Sequence, residues 1–203
     1  MVDVDQLRVQ LAKLDDQLVQ WSLADDSIFE RERQAGTPAD EIMKMILNDR
    51  RERVIAGVPD PNDELLKLLD HIMDEYLRAD ETTRGAIRGA FNGKDRVLYS
   101  LDNYIARAAD KLAAGDGPHW LHRGLAAASI LDGRLDLHDT QVNLGYLYRA
   151  AARAGLDPVP AFREVAALSS NVYPGKMGST REMLETFHKS DYFREAVEPD
   201  LNG

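Results

Sequence analysis

The chain has 203 residues, of which 44% are apolar, and this size and composition suit one compact domain, or one domain with a helical appendage. It contains no cysteine, which excludes a disulfide framework, a thiol nucleophile and a zinc–thiolate site. No apolar run approaches the roughly 20 residues of a membrane-spanning helix, and the acidic N-terminus lacks the basic-then-apolar pattern of a signal peptide. These features predict a cytoplasmic protein that does not bind a membrane.

The formal net charge of −10 is distributed unevenly along the chain. Residues 1–81 carry 20 acidic and 10 basic side chains, whereas residues 82–123 carry 4 acidic and 7 basic ones. An acidic surface disfavours nucleic acid, because that affinity comes largely from Lys and Arg on phosphate. The charge favours a basic protein partner, although it also serves solubility alone. We expect the arginines of 82–123 to pair with the acidic N-terminal hairpin defined below.

The first predicted helix carries a narrow apolar seam. Steps of three and four residues separate its apolar positions, and only Asp25 interrupts the series: Val4, Leu7, Leu11, Leu14, Leu18, Trp21 and Ile28. This is the heptad pattern of a helix that buries one stripe. The stripe packs either on a helix of the same chain or on a second copy, as a homodimeric coiled coil. A polar residue in the seam costs stability in a coiled coil, or marks where the helix leaves its partner.

A second helix is predicted after a turn in which Gly36 ends the first helix and Thr37 caps the next. This helix runs to about Ile55. Its end is basic, as the helix dipole favours, with Arg50, Arg51 and Arg53. The segment 57–61 contains two prolines and a glycine, so no helix continues through it. We therefore predict an acidic helical hairpin at residues 1–57 and a main bundle at 60–203, with a single compact domain as the alternative.

Further helices are predicted beyond this boundary from the same kinds of signal. Three helix starts are recognised by their capping residues: the Asp-Pro pairs at 60–61 and 157–158, and Ser179 before Thr180. A turn at 132–136, in which Gly133 supplies the unusual backbone angle, joins two helices. The predicted helical segments are about 61–79, 82–91, 97–112, 118–131, 136–155, 158–168 and 179–197. The fold class is all-α, an irregular multi-helix bundle of about seven to eight helices with the N-terminal hairpin.

Metal-ligating side chains occur in two short patterns. His71 and Glu75 are four residues apart on one predicted helix, and His119 and His122 are three apart at the start of another, so each pair shares a helix face. Di-metal enzymes built on bundles use two Glu-x-x-His motifs, whereas this chain has one, at 185–188. We therefore assign no metal and no cofactor, and keep these four residues as weak candidates.

No nucleophile elbow or phosphate-binding loop is present. The pattern favours a non-enzymatic protein-interaction module, in the form of an acidic inhibitor, an immunity-type protein or a regulatory protein. The acidic side chains expected to contact its partner are Asp15, Asp16, Asp25 and Asp26. Two alternatives stay open: a metal-dependent bundle enzyme that uses the four residues above, and a homodimeric scaffold that uses the seam.

Overall fold

A computed structural model describes residues 3–132, 137–169, 180–190 and 193–194. Within these residues every regular element is a helix, which confirms the predicted all-α fold. The α-helices are α1 (Val4–Gln34), α2 (Ala39–Ile55), α3 (Pro61–Arg78), α4 (Glu81–Ala90), α5 (Asp95–Ala113), α6 (His119–Leu131), α7 (Leu137–Arg153), α8 (Pro158–Ala166) and α9 (Thr180–Thr186). The described part thus holds nine helices, slightly more than predicted. None of them is long and apolar enough to cross a membrane.

Helix boundaries follow the capping residues in most places. Asp60 accepts the backbone N–H of Asn62, and Asp157 accepts that of Val159, so both predicted Asp-Pro starts are confirmed. Thr37 does not cap α2, whose N-cap position is occupied by Pro38. The Thr37 hydroxyl instead donates to the Glu32 carboxylate, because the helix begins one residue later than predicted.

The C-terminal region differs from the prediction in length. The last helix was expected to run from Ser179 to about Val197, but α9 ends at Thr186 and a short 3₁₀ turn, Phe187–Lys189, follows. Ser179 and residues 195–197 lie outside the described residues. Of the predicted turn at 132–136, only Asp132 is described. Asp132 itself adopts a left-handed backbone, with φ of 46°, a conformation that Asp tolerates better than most residues; Gly133 lies outside the described residues.

Helices α5, α6 and α7 form the centre of the molecule. Helix α6 is rich in small residues, and its stretch 126–129 is fully buried. A Cβ atom added at Gly124 would lie 2.7 Å from Cδ2 of Leu147 on α7 and 3.0 Å from Cβ of Ala108 on α5. The absence of a side chain at Gly124 therefore lets the three helices approach closely.

A buried polar network joins the outer helices to this centre. Arg88 on α4 donates to the hydroxyl of Tyr76 on α3 at 2.8 Å and to the carbonyl of Leu168 at 3.0 Å. The Tyr76 hydroxyl is also hydrogen-bonded to Ser129 on α6. Because buried polar groups are costly unless they are paired, these bonds fix the end of α8 against α3, α4 and α6.

The seam of α1 is buried within its own chain. Its first half, Leu7 to Leu18, belongs to the main core and packs against α3, α4 and α5. Its second half packs against α2, where the guanidinium of Arg53 lies 4.3 Å from the ring centroid of Trp21. The seam is therefore occupied within one molecule, and α1 belongs both to the hairpin and to the bundle.

Candidate protein-interaction surface

Four of the five arginines of the basic stretch pair with carboxylates on α3 or α4. Arg107 donates to Asp70 at 3.0 Å, and Arg123 makes two bonds to Asp74, at 2.9 and 2.7 Å. Both guanidinium groups lie over the ring of Trp120, with their Cζ atoms 5.1 and 4.9 Å from its centroid. The expected pairing with the hairpin 1–57 is thus wrong for these arginines, because the adjacent helix α3 supplies the carboxylates. The charge of these two arginines is therefore neutralised locally.

The four weak metal candidates do not form a ligand set. His71 and His119 are exposed, and Glu75 forms an ion pair with a neighbour on its own helix. His122 lies 3.5 Å from Glu164 on α8, which gives one histidine and one carboxylate. Throughout the described ranges, no three His, Asp or Glu side chains are grouped so that they could hold a metal ion.

The four acidic residues expected to contact a partner divide into two pairs. Asp15 accepts the backbone N–H of Val97 at 3.0 Å, and Asp25 is only 8% exposed. Asp16 and Asp26 are both exposed. The helical period separates each residue from its neighbour by about 100°. Of the four, only Asp16 and Asp26 are therefore exposed and accessible to a partner.

Asp25 fastens α2 to α1. Its carboxylate accepts hydrogen bonds from Arg50, at 2.9 Å from Nε, and from Arg53, at 3.0 Å from Nη2. The bond to Asp25 raises the pKa of Arg50 above its ordinary value. The two arginines were expected to serve the dipole at the end of α2, but they bind a carboxylate across the hairpin. This cluster fixes which face of α2 is turned toward α1.

Apolar side chains are also exposed along the hairpin segment. Eleven large apolar side chains are exposed in the described residues, and eight of them lie between residues 23 and 58: Leu23, Phe29, Met43, Met45, Leu47, Val54, Ile55 and Val58. Helix α2 buries only two residues, Ile42 and Ile46, and packs chiefly on α1. Contiguous exposed apolar patches of more than a few hundred Å² mark interaction sites, so this segment is where a partner surface is sought.

Three of these side chains form a line that we call the α2 stripe: Met43, Leu47 and Val54. They are spaced by four and seven residues, so they lie on one helix face. Their exposed fractions are 50%, 57% and 47%. The stripe borders the buried line of Ile42 and Ile46, so α1 covers only part of a wider apolar face. Sequence reasoning missed it because α2 was treated only as the second arm of the hairpin.

The surface depressions beside the hairpin do not indicate one class of ligand. Two adjoining depressions of about 190 and 320 Å³ lie between the first half of α1 and α3, and Gln10 and Leu68 line both. Lys13 and Glu64 border the first of them, so its charge is mixed. This groove gives no reason to prefer an acidic or a basic ligand.

No family model matches the chain, and neither does any curated protein or solved structure. The function must therefore be inferred from the geometry of the chain itself. Within the described residues, exposed apolar side chains are most concentrated in the hairpin segment 23–58.

Proposed function

We propose that this chain is a cytoplasmic, non-enzymatic protein-interaction module that docks its partner on the outer side of the α1–α2 hairpin. The observation that carries the proposal is the α2 stripe, whose residues Met43, Leu47 and Val54 are each about half exposed. Removing apolar surface from water is worth roughly 25 cal/mol per Å², so a partner that covers the stripe gains affinity. The Asp25 cluster holds α2 on α1, which keeps the stripe turned outward before binding.

A narrower form of this proposal is an acidic inhibitor, an immunity-type protein or a regulator of a basic partner. The net charge of −10 supports it, because complementary charge accelerates association. Asp16 and Asp26 are the exposed members of the acidic set on α1. In this form, the double variant Asp16→Lys/Asp26→Lys slows association, and added salt slows the wild type toward the same rate. An association rate that ignores both changes would remove the charge-based form only.

The general proposal is tested with a pair of variants that match in exposure. Leu47 on α2 and Tyr99 on α5 are both 57% exposed. Tagged wild-type protein, Leu47→Glu and Tyr99→Glu are used to capture proteins from a lysate of the source organism, and circular dichroism verifies that each variant is folded. We expect the wild type and Tyr99→Glu to retain the same partner and Leu47→Glu to lose it. Capture of that partner by all three baits would contradict the proposal.

A further inference from the structure

We propose that the α2 stripe is covered by the α2 stripe of a second copy of this chain, with the two helices antiparallel about a two-fold axis. This inference rests on the proposed function, because it names the partner of the same surface. It moves the dimer interface away from the α1 seam, whose residues Leu7 to Leu18 are already buried in the core of their own chain. Self-association must therefore use an outward face.

The charges of α2 are arranged for an antiparallel partner of identical sequence. The first turn carries Asp40 and Glu41, and the exposed Lys44 lies 3.3 Å from Asp40. The last turns carry three arginines and two acidic residues, Asp49 and Glu52, so that end is net basic by one charge. Two of those arginines bind Asp25, and Arg51 is exposed. Antiparallel pairing places the acidic start of each helix against the basic end of the other and opposes the two helix dipoles. Parallel pairing would place like charges together.

The spacing along the helix agrees with this arrangement. Asp40 and Arg51 are separated by three helical turns, so both border the stripe on the same edge. Their midpoint falls between residues 45 and 46, and the midpoint of Met43 and Leu47 falls at residue 45. One two-fold axis therefore faces Met43 toward Leu47 of the second copy and brings Asp40 near Arg51 of the second copy. In this register, Val54 lies against the turn that precedes α2 of the second copy, at residues 36–37.

The balance of charge around the stripe favours a second copy over a strongly basic protein. Residues 20–58 carry eight acidic and six basic side chains, so this part of the hairpin is almost neutral although the whole chain is strongly acidic. Two copies can therefore approach here with little repulsion. A cationic protein would gain little attraction from this stretch alone, and the narrower form of the proposed function would need acidic residues outside it, such as Asp16.

The first test measures the mass of the full chain in solution by sedimentation equilibrium over a dilution series. We expect the wild type and Tyr99→Glu to be dimers, and Leu47→Glu to be a folded monomer with a dissociation constant raised on the order of a hundredfold. A monomeric wild type at every concentration, or a dimer that Leu47→Glu leaves intact, overturns the inference. If the wild type is monomeric and still captures another protein in a way that depends on Leu47, the proposed function stands. Only the identification of the partner as a second copy is then wrong.

A charge exchange tests the antiparallel register. Asp40→Lys and Arg51→Glu should each raise the dissociation constant by on the order of tenfold, because each creates two repulsive pairs in the dimer. The double variant should restore wild-type affinity, and the two single variants should form a mixed dimer when combined. Failure of both the double variant and the mixture to recover affinity overturns the antiparallel pairing.

Discussion

The carboxylate of Asp15 on α1 accepts a hydrogen bond from the backbone N–H of Val97, at 3.0 Å, in the first turn of α5. Lys94, the residue before that helix, makes no side-chain cap bond of its own. The cap of a central helix is therefore supplied from a helix some eighty residues earlier in the chain. This bond couples the position of α1 to the start of α5.

Asp15→Ala should lower the free energy of unfolding by about 1 kcal/mol, the usual cost of losing an N-cap acceptor. Asp16→Ala is the matched control, because Asp16 is the adjacent acidic residue on the same helix and is exposed. Urea denaturation of the wild type and both variants measures the difference. If the two alanine variants unfold at the same urea concentration, the cap at Asp15 contributes nothing.

Asp25→Ala should loosen α2 while leaving the central helices intact. The change removes the hydrogen bonds to Arg50 and Arg53, and bonds to charged groups are worth about 1.5–3 kcal/mol. Hydrogen exchange should therefore accelerate across α2 and change little across α5 and α6. The control is Asp26→Ala, an exposed neighbour. Uniform acceleration in all helices, or none in α2, would contradict a local role.

Local signals in the sequence predicted most of the helices. At the Asp-Pro starts 60–61 and 157–158, the Asp side chain accepts the backbone N–H of the residue two positions later. Both partners lie within three residues of sequence, so the sequence alone is enough to predict the helix start. The helix predicted at 118–131 is likewise present, as α6 (His119–Leu131). Thr37 failed as a cap because a one-residue shift of a helix start lies within the normal uncertainty of such signals.

The roles of charged residues could not be predicted in the same way, because they depend on contacts between distant parts of the chain. Asp15 and Asp16 are indistinguishable by residue type, yet only Asp15 meets the start of α5. Arg50 and Arg53 fit a dipole role on their own helix, and only the closed hairpin reveals Asp25 as their partner. The α2 stripe needed the same information, since the sequence does not show which apolar residues α1 leaves uncovered.

The pair of Asp74 and Arg123 should make stability depend on acid pH. The hydrogen bond from Arg123 lowers the pKa of Asp74 below its ordinary value, which is about 3.9 for an aspartate. A carboxyl group with a lowered pKa stabilises the fold above its ordinary pKa, and this contribution is lost as the pH falls through the folded-state pKa. Near neutral pH the wild type should therefore have a higher melting temperature than Asp74→Asn. The difference between the two melting temperatures should become smaller as the pH falls into the acid range.

Thermal melts at several pH values between neutral and strongly acidic measure that gap. Asp63→Asn is the control, because it removes an exposed carboxylate from the same helix, and its melting temperature should follow that of the wild type. A gap between the wild type and Asp74→Asn that stays constant down to strongly acidic pH would count against a charge-dependent bond.

Asp102 should titrate in the opposite direction. Its burial on α5 raises its pKa. Hydrogen bonds from Thr140 and Asn143, at 2.9 and 3.0 Å, oppose this rise by stabilising the carboxylate. Thr140→Val removes one of these donors, so the pKa of Asp102 should rise further. A raised pKa means that the folded state binds the proton more tightly than the unfolded state does. Asp102 therefore adds stability as the pH falls from above its raised pKa toward the ordinary aspartate value.

A carbon NMR titration of the Asp102 carboxyl group measures both effects. The wild-type midpoint should lie above the ordinary aspartate value of about 3.9, and that of Thr140→Val should be higher still. Thr82→Val changes an exposed threonine on α4 and should leave the midpoint of Asp102 unchanged. A wild-type midpoint at or below the ordinary value would show that burial does not dominate at this site.

Gly124→Ala should destabilise the protein although alanine is the better helix former. The new Cβ atom would lie 2.7 Å from Cδ2 of Leu147 and 3.0 Å from Cβ of Ala108, so packed helices must shift at a cost of about 1–3 kcal/mol. Gly89→Ala is the matched control, because a Cβ atom at this position on α4 meets nothing within 4 Å; its helix propensity should add up to about 1 kcal/mol. Chemical denaturation should therefore give opposite signs for the two variants, and a stabilising Gly124→Ala would refute the close approach of α5, α6 and α7.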